Sequence, residues 1–181
     1  LILKVLNSKK LVDGIFQDMV EKKIKNIIKS NYVAVTQSCS SALEIAAILL
    51  KLKPKDEVLV PSFTFTSTAN AFVMRGAKPV FVDVDEHNLN INLEDLEKKI
   101  NKRTKAIFVV HYGGFCANIE KLIKIKKKYN LPLVEDAAHA FMTKYKNKYL
   151  GTFGDISAFS FHTTKNIVGA QCGALIINNK K

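Results

Sequence analysis

Apolar residues follow two spacings along this chain, one typical of helices and one typical of buried strands. Over residues 11–30 they recur every three or four positions, which predicts an amphipathic helix. Short, continuous apolar runs elsewhere are typical of strands that are buried on both sides. The predicted strands are Tyr32–Val35, Glu57–Val60, Pro79–Val84, Ala106–Val110, Leu131–Val134, Ile156–Phe161 and Ala174–Ile177. The other predicted helices are Ala42–Leu50, Ser67–Arg75, Leu93–Ile100 and Ile119–Tyr129.

Helices separate most of these strands, and the chain shows no internal repeat and no flexible linker. This alternation predicts an α/β fold in three layers, with a mostly parallel sheet covered by helices on both faces. Ligands of such sheets bind just beyond the carboxyl ends of the strands. The residues that follow each strand are therefore the first candidates for chemistry.

Composition supports a single folded domain. The chain has 181 residues, of which 48% are hydrophobic, and this apolar fraction excludes a disordered chain. Its three cysteines, Cys39, Cys116 and Cys172, are widely separated. This usage argues against a disulfide scaffold and favours the reducing environment of the cytoplasm. No apolar run approaches the ~18 residues that span a bilayer, so we expect no membrane partner.

The net charge of +12 raises the question of a nucleic-acid partner. The basic residues are 26 lysines and only two arginines, Arg75 and Arg103. Bidentate recognition of phosphate and guanine favours arginine, whereas lysine is a strongly hydrated point charge. We therefore interpret the charge as a solvated surface and expect no nucleic-acid partner, with nucleic-acid or membrane binding as the less favoured alternatives.

Three candidate groups follow strands of the predicted sheet. The serine-rich segment 38–41 precedes a helix, where free amides and hydroxyls bind phosphate well. Asp136 follows a buried strand, where a carboxylate is costly without a partner such as a protonated ring nitrogen. Lys165 lies in a hydroxyl-rich segment, where a lysine can act as a nucleophile. A helix cap, a structural aspartate and a surface lysine are the corresponding alternatives.

Other chemistries lack their motifs. The four histidines are far apart and no HExxH or CxxC pattern occurs, which argues against a metal site. The G-x-S-x-G and G-x-G-x-x-G patterns of hydrolases and dinucleotide-binding proteins are also absent. Three candidate groups remain: a serine-rich segment that suits a phosphate, an aspartate that suits a protonated ring nitrogen, and a lysine further along the chain. This combination suits pyridoxal 5′-phosphate (PLP), whose protonated ring acts as an electron sink.

The same residues carry a resemblance to a known family. The chain resembles the DegT/DnrJ/StrS sugar aminotransferases, which are PLP enzymes of fold type I. The similar stretches follow the family order from about residue 31 onward. They are SCSSAL at 38–43, DEVLVPSFTFTSTAN at 56–70, GAKPVFVD at 76–83, HYGG at 111–114, VEDAAH at 134–139, GTFG at 151–154 and FSFHTTKN at 159–166. Within the family, the resemblance is greatest to transaminases of dTDP-4-keto-6-deoxyglucose and related nucleotide sugars.

The resemblance implies a role for each matching residue. Lys165 matches the catalytic lysine, which binds the cofactor covalently and later moves a proton between donor and cofactor. Asp136 matches the aspartate that pairs with the pyridine nitrogen. His139 stands where family members carry His or Gln near the cofactor ring.

The remaining implied cofactor contacts are an aromatic ring and three hydroxyls. Phe65 matches the aromatic residue that stacks on the ring face. Ser40 and Ser41 match the phosphate-binding pair at a helix start, and Ser40 replaces a frequent threonine. Ser160 matches a serine that adds a further hydroxyl to the phosphate.

The chain departs from the family pattern in two ways. The family usually carries a Gly-Glu-Gly-Gly type turn after the lysine, but here Gln171 and Cys172 replace the acid and a glycine. The family's chains are also roughly twice as long, with a C-terminal small domain. We therefore expect residues 1–181 to be a PLP-binding large domain that lacks its small domain and its extreme N-terminus.

The resemblance implies an aminotransferase that moves the amino group of glutamate to a nucleotide-linked keto sugar, such as a dTDP-4-keto-6-deoxyhexose. Such sugars serve cell-surface polysaccharides such as lipopolysaccharide. The implied assembly is a homodimer with a shared active site. A sugar dehydratase of the same fold is one alternative, although related dehydratases carry His in place of Lys165. A truncated, non-catalytic fragment is the other.

Overall fold

A computed structural model describes residues 2–8 and 14–179, and these form two sheets and six α-helices. The helices are α1 Ile2–Asn7, α2 Ile15–Ile28, α3 Cys39–Leu49, α4 Thr66–Val73, α5 Leu93–Lys99 and α6 Ile119–Tyr129. The strands are β1 Tyr32–Thr36, β2 Glu57–Pro61, β3 Lys78–Val82, β4 Thr104–Val110, β5 Leu133–Asp136, β6 Lys144–Tyr145, β7 Lys148–Tyr149, β8 Ile156–Ser160 and β9 Gly173–Ile177. A short 3₁₀ turn covers Tyr112–Gly114.

The main sheet has seven strands in the order β1-β9-β8-β5-β4-β2-β3. β8, β5, β4, β2 and β3 run parallel to one another, and β9 is antiparallel to both of its neighbours. The predicted mostly parallel sheet is therefore confirmed. Strands β6 and β7 form a separate two-stranded hairpin.

Helices cover both faces of the sheet, which confirms the three layers. Along β2, Val58 and Val60 pack with α3 and α4 on one face, while Leu59 packs with α5 and α6 on the other. This alternation is the expected consequence of the two-residue repeat of a strand. α2 packs on the same face as α5 and α6, over β8 and β9. None of the described helices is both long enough and apolar enough to cross a membrane.

β5 begins two residues later than predicted and ends at Asp136. The backbone N–H of Leu133 donates to Asp155 Oδ2 at 2.8 Å, and Nζ of Lys126 lies 2.6 Å from Asp155 Oδ1. This contact fixes the start of the strand, because Asp155 ties α6 and the segment before β8 to Leu133. Lys126 is consequently half-buried and paired, unlike the solvated surface lysine that the sequence predicts.

Three described elements have no counterpart in the sequence prediction. They are the helix α1, the β6–β7 hairpin and the 3₁₀ turn. α1 has no buried residue, and each hairpin strand has only two residues, so neither produces a long periodic pattern. The predicted first helix is shorter than expected, beginning at Ile15, and its residues 11–13 lie outside the described part of the chain.

Glu135 is a fully buried carboxylate at the centre of the sheet. Its Oε2 lies 2.7 Å from Nε2 of His111 and accepts the backbone N–H of Gly151 at 2.9 Å. Its Oε1 accepts the N–H groups of Phe153 and Gly154. Burial alone raises the pKa of Glu135, but His111 and the backbone donors outweigh burial and hold this pKa below its ordinary value. The carboxylate therefore joins β4, β5 and the turn before β8.

Glu135→Gln tests this junction, because the new NH₂ group cannot accept from His111 or Gly151. We expect the substitution to lower the free energy of unfolding by about 3 kcal/mol at pH 7, measured by urea denaturation of the intact protein. The folded-state pKa of Glu135 is lowered, so its contribution is complete above the unfolded value of about 4.3. That contribution is lost as the pH falls through the folded value.

Glu135→Gln should therefore also reduce the loss of stability in acid. Glu86→Gln is the matched control, because Glu86 is exposed and should change the free energy of unfolding by less than about 0.5 kcal/mol. Equal effects of the two substitutions would contradict the assigned role of Glu135.

Candidate active site

A cavity of about 480 Å³ opens at the carboxyl ends of the parallel strands. Segments that follow β1, β2, β4, β5 and β8 all contribute to its wall. Six of the seven predicted site residues line it, and they are Ser40, Phe65, Asp136, His139, Ser160 and Lys165. The expectation that chemistry lies beyond the strand ends therefore identifies a single place in the fold.

Asp136 is the last residue of β5 and is 4% exposed. Thr68 of α4 donates from Oγ1 to Asp136 Oδ2 at 2.7 Å. On the other oxygen, Oδ1, the carboxylate accepts the N–H of Ala138 at 3.1 Å and the thiol of Cys39 at 3.9 Å. Burial and the charge of Asp136 raise the pKa of the Cys39 thiol well above its ordinary value, so the thiol keeps its proton and remains a donor.

Lys165 and His139 meet across the cavity wall. Nζ of Lys165 lies 2.7 Å from Nε2 of His139, and the backbone N–H of Gly113 donates to His139 Nδ1 at 3.2 Å. Burial and then the positive charge of Lys165 hold the pKa of His139 below its ordinary value, although Asp136 opposes this shift. The ring is therefore neutral at pH 7, and because Nδ1 accepts from Gly113, its proton lies on Nε2 and faces Nζ of Lys165.

The serine-rich segment forms the start of α3. Ser38 is the N-cap, and its Oγ accepts the backbone N–H of Ser41 at 3.1 Å. Ser40 lines the cavity, whereas the Ser41 hydroxyl lies 3.1 Å from Ser38 Oγ. The serines thus cap the helix and also present a hydroxyl to the cavity, so the two explanations of this segment are compatible.

β9 passes unusually close to this helix start. A Cβ atom on Gly173 would lie 2.5 Å from the backbone N of Cys39 and from the backbone carbon of Ser38. Only glycine fits there without a backbone shift. Any larger residue at 173 would displace the segment that presents Ser40 to the cavity.

The other two predicted residues lie at different depths. Ser160, the last residue of β8, is buried, and its Oγ lies 3.4 Å from the backbone N of His162. Phe65, the N-cap of α4, is 71% exposed at the cavity mouth. An exposed ring beside a cavity is unusual for a side chain that serves only the core, and it provides a flat apolar surface.

Several lining and contacting residues are absent from the sequence prediction. Thr68 and Cys39 contact Asp136, and Tyr112 stacks edge-on against His139 with ring centroids 5.1 Å apart. Thr68 lies in the hydroxyl-rich run after β2, and Cys39 lies between the serines, so both were marked by their neighbours. The departures Gln171 and Cys172 also line the cavity.

This donor set fits PLP. A buried carboxylate suits a protonated ring nitrogen, hydroxyls at a helix start suit a phosphate, and a lysine amine suits an aldehyde. The described residues contain no group of three or more His, Cys, Asp or Glu side chains that could hold a metal ion.

Comparison with known proteins shows the family to which the chain belongs. The profile of the DegT/DnrJ/EryC1/StrS aminotransferase family matches residues 1–181. GDP-perosamine synthase of Escherichia coli O157:H7 is 38% identical over 167 residues, which are 92% of this chain and 46% of that protein. The chain thus belongs to the DegT/DnrJ/EryC1/StrS aminotransferase family.

Two solved structures share the fold. Helicobacter pylori PseC, an aminotransferase of pseudaminic acid biosynthesis, has a TM-score of 0.92 and 34% identity, covering 99% of this chain and 48% of PseC. Spr1654 of Streptococcus pneumoniae in its PMP (pyridoxamine phosphate) form has a TM-score of 0.93 and 26% identity, covering 98% of this chain and 49% of that one. The chain spans about half the length of these relatives.

The contact between Lys165 and His139 predicts a measurable shift. Lys165→Met removes a positive charge beside the ring, so the pKa of His139 should rise toward its ordinary value. Proton NMR titration of the His139 ring in the cofactor-free protein measures this change. Lys124→Met, on the exposed side of α6, is the control and should leave the titration unchanged. A titration midpoint that stays or falls in Lys165→Met would show that the two side chains do not interact.

Proposed function

We propose that the protein to which this chain belongs is a PLP-dependent aminotransferase, which moves the amino group of glutamate to a nucleotide-linked keto sugar. One observation carries the proposal: Asp136 and Lys165 line the same cavity, together with hydroxyls at the start of α3. When bound, the cofactor supplies an electron sink and an aldehyde that carries the amino group between substrates. The residues of this chain bind it, orient it and move protons.

Lys165 is the proposed catalytic residue. Its Nζ would hold the cofactor covalently and, when free, would carry the proton that moves during amino transfer. His139 has its Nε2 2.7 Å from that Nζ. Because Nδ1 accepts the N–H of Gly113, the proton of the neutral ring lies on Nε2, so His139 orients the lysine amine by donating to Nζ in its unprotonated form.

Asp136 is the proposed partner of the ring nitrogen. A carboxylate that is 4% exposed interacts strongly with a cation at short range, because little water screens it. Asp136 would accept the N–H of the ring nitrogen, which would favour the protonated nitrogen and an electron-poor ring. Phe65, exposed at the cavity mouth, would pack against the cofactor ring and limit the access of water.

The phosphate is proposed to lie at the amino end of α3. The Ser40 hydroxyl and the positive end of the helix favour an anion there, and Ser160 adds a hydroxyl from the neighbouring strand β8. Ser41 lies in the first turn of the same helix, beside the proposed phosphate position. These groups bind and orient the cofactor without taking part in proton transfer.

The substrate class follows from the relatives. GDP-perosamine synthase is named for a nucleotide-linked sugar, and PseC is described as an aminotransferase of pseudaminic acid biosynthesis; these names support a nucleotide-linked keto sugar here. The dTDP-4-keto-6-deoxyhexose implied by the sequence is the first candidate to test, with GDP-linked keto sugars beside it. A net charge of +12 favours the approach of any such anion.

A second copy of the chain is proposed to complete the site. Phe65 at the cavity mouth exposes 71% of its surface. Phe63 and Phe115 expose 39% and 68%, and both contact Tyr112 of the cavity wall: the Phe63 ring lies 4.6 Å from the Tyr112 ring, and the Phe115 N–H donates to the Tyr112 carbonyl. Such exposed aromatic rings are typical of surfaces that another protein covers. A homodimer with a shared active site places this apolar rim at the subunit interface.

Lys165→Ala tests the proposed function. The intact protein with added PLP should develop a protein-bound visible absorbance band and transfer the amino group of glutamate to a keto-sugar nucleotide. Lys165→Ala should abolish the band and lower the transfer rate by about 10⁴-fold or more, since both the anchor and the proton carrier are lost. Absorbance spectra and chromatography of the amino sugar measure the two effects.

Lys124→Ala is the matched control and should behave as the unaltered protein. An unchanged spectrum in Lys165→Ala would overturn the proposal. Loss of a sugar hydroxyl without amine transfer would identify a dehydratase, and a protein that neither binds the cofactor nor transfers the amine would identify a non-catalytic domain.

A further inference from the structure

Thr68 is a fully buried hydroxyl that the proposed chemistry does not use. It lies in the first turn of α4 and is 0% exposed. Its hydroxyl donates to Asp136 Oδ2 at 2.7 Å, across 68 residues of sequence. The contact therefore joins α4, which follows β2, to the carboxyl end of β5.

The hydroxyl does not serve the helix itself. In helix interiors, threonine hydroxyls often bond to the carbonyl four residues earlier, and in first turns they cap free amides. Here the proton of Thr68 goes to another element of the fold. A valine would have nearly the same shape at this position, so packing alone does not account for the threonine.

A second threonine sets the direction of the hydrogen bond. Thr64 donates from its hydroxyl to Thr68 Oγ1 at 2.8 Å. With its oxygen accepting from Thr64, Thr68 has its own proton available for Asp136. The relay runs one way, from Thr64 through Thr68 to Asp136, and it ends on a carboxylate oxygen that can only accept.

Thr68 is also the strongest of the side-chain donors to Asp136. The Cys39 thiol is a weak donor at 3.9 Å, and the N–H of Ala138 belongs to the turn that follows Asp136 itself. Among the described residues, only Thr68 supplies Asp136 with a short hydrogen bond from a separate helix. Hydrogen bonds of neutral donors to a buried carboxylate are stronger than those between neutral groups.

We propose that Thr68 is a positioning residue, which orients the Asp136 carboxylate so that its remaining acceptor positions face the ring nitrogen of the cofactor. This inference rests on the proposed function, because Thr68 acts through Asp136. Loss of its hydroxyl should weaken cofactor binding and leave the lysine chemistry intact.

Thr68→Val and Thr68→Ser provide the test in the intact protein. Thr68→Val should raise the dissociation constant of PLP about tenfold, measured by absorbance titration, and should shift the pH midpoint of the bound absorbance band. Thr68→Ser keeps the hydroxyl and should restore both values. Thr104→Val is the control, because Thr104 is also buried, at the start of β4, and its hydroxyl accepts the backbone N–H of Asn101 and not a contact at the cavity.

A measurement without the cofactor separates this inference from the proposed function. A double-mutant cycle compares Thr68→Val, Asp136→Ala and the double variant with the unaltered protein. If the two side chains interact, the double variant should change the unfolding equilibrium constant about tenfold less than the product of the two single changes. The same cycle with Thr104→Val should show no such coupling. If coupling is present but PLP does not bind to the unaltered protein, the proposed function fails while the contact stands.

Two results would overturn the inference itself. One is a Thr68→Val protein that binds PLP with an unchanged dissociation constant and an unchanged pH midpoint. The other is a Thr68→Ser protein as impaired as Thr68→Val, which would assign the position to packing and not to the hydroxyl.

Discussion

The fold depends on one buried carboxylate, Glu135, on the central strand of the sheet. A buried charge must be compensated by hydrogen-bond donors. Glu135 has four of them: His111 and three backbone amides between Gly151 and Gly154. These donors come from the end of β4 and from the turn before β8. The need to satisfy one charge therefore fixes β4, β5 and β8 relative to each other, and their carboxyl ends form the cavity wall.

The two-residue repeat of a strand connects this structural role to the chemistry. Because Asp136 follows Glu135, its side chain points to the opposite face of the sheet, toward Thr68 on α4 and Cys39 on α3. One carboxylate holds the sheet together, and its neighbour is presented to the cavity beside Lys165. β5, which the Glu135 contacts hold in place, thus also carries the proposed partner of the ring nitrogen. A small displacement of that partner would be costly for catalysis.

The sequence predicts the parts of this arrangement that leave local patterns. Apolar runs identify the strands, and the rule about their carboxyl ends brings Ser40, Asp136 and Lys165 together before any coordinates are known. The antiparallel insertion of β9 and the β6–β7 hairpin leave no such pattern, because they depend on contacts between distant residues or on two-residue strands. Thr68 was missed although it lies in a hydroxyl-rich run, because such a run does not show which of its hydroxyls contacts a carboxylate 68 residues away.

The central claim is that the cavity at the strand ends is the cofactor site and that Lys165 anchors the cofactor there. The direct measurement is reduction of the PLP-loaded intact protein with borohydride, followed by peptide mass spectrometry to locate the pyridoxyl group. Among the 26 lysines of the chain, we predict modification of Lys165 alone. A pyridoxyl group on another lysine, or none on Lys165, would contradict the account.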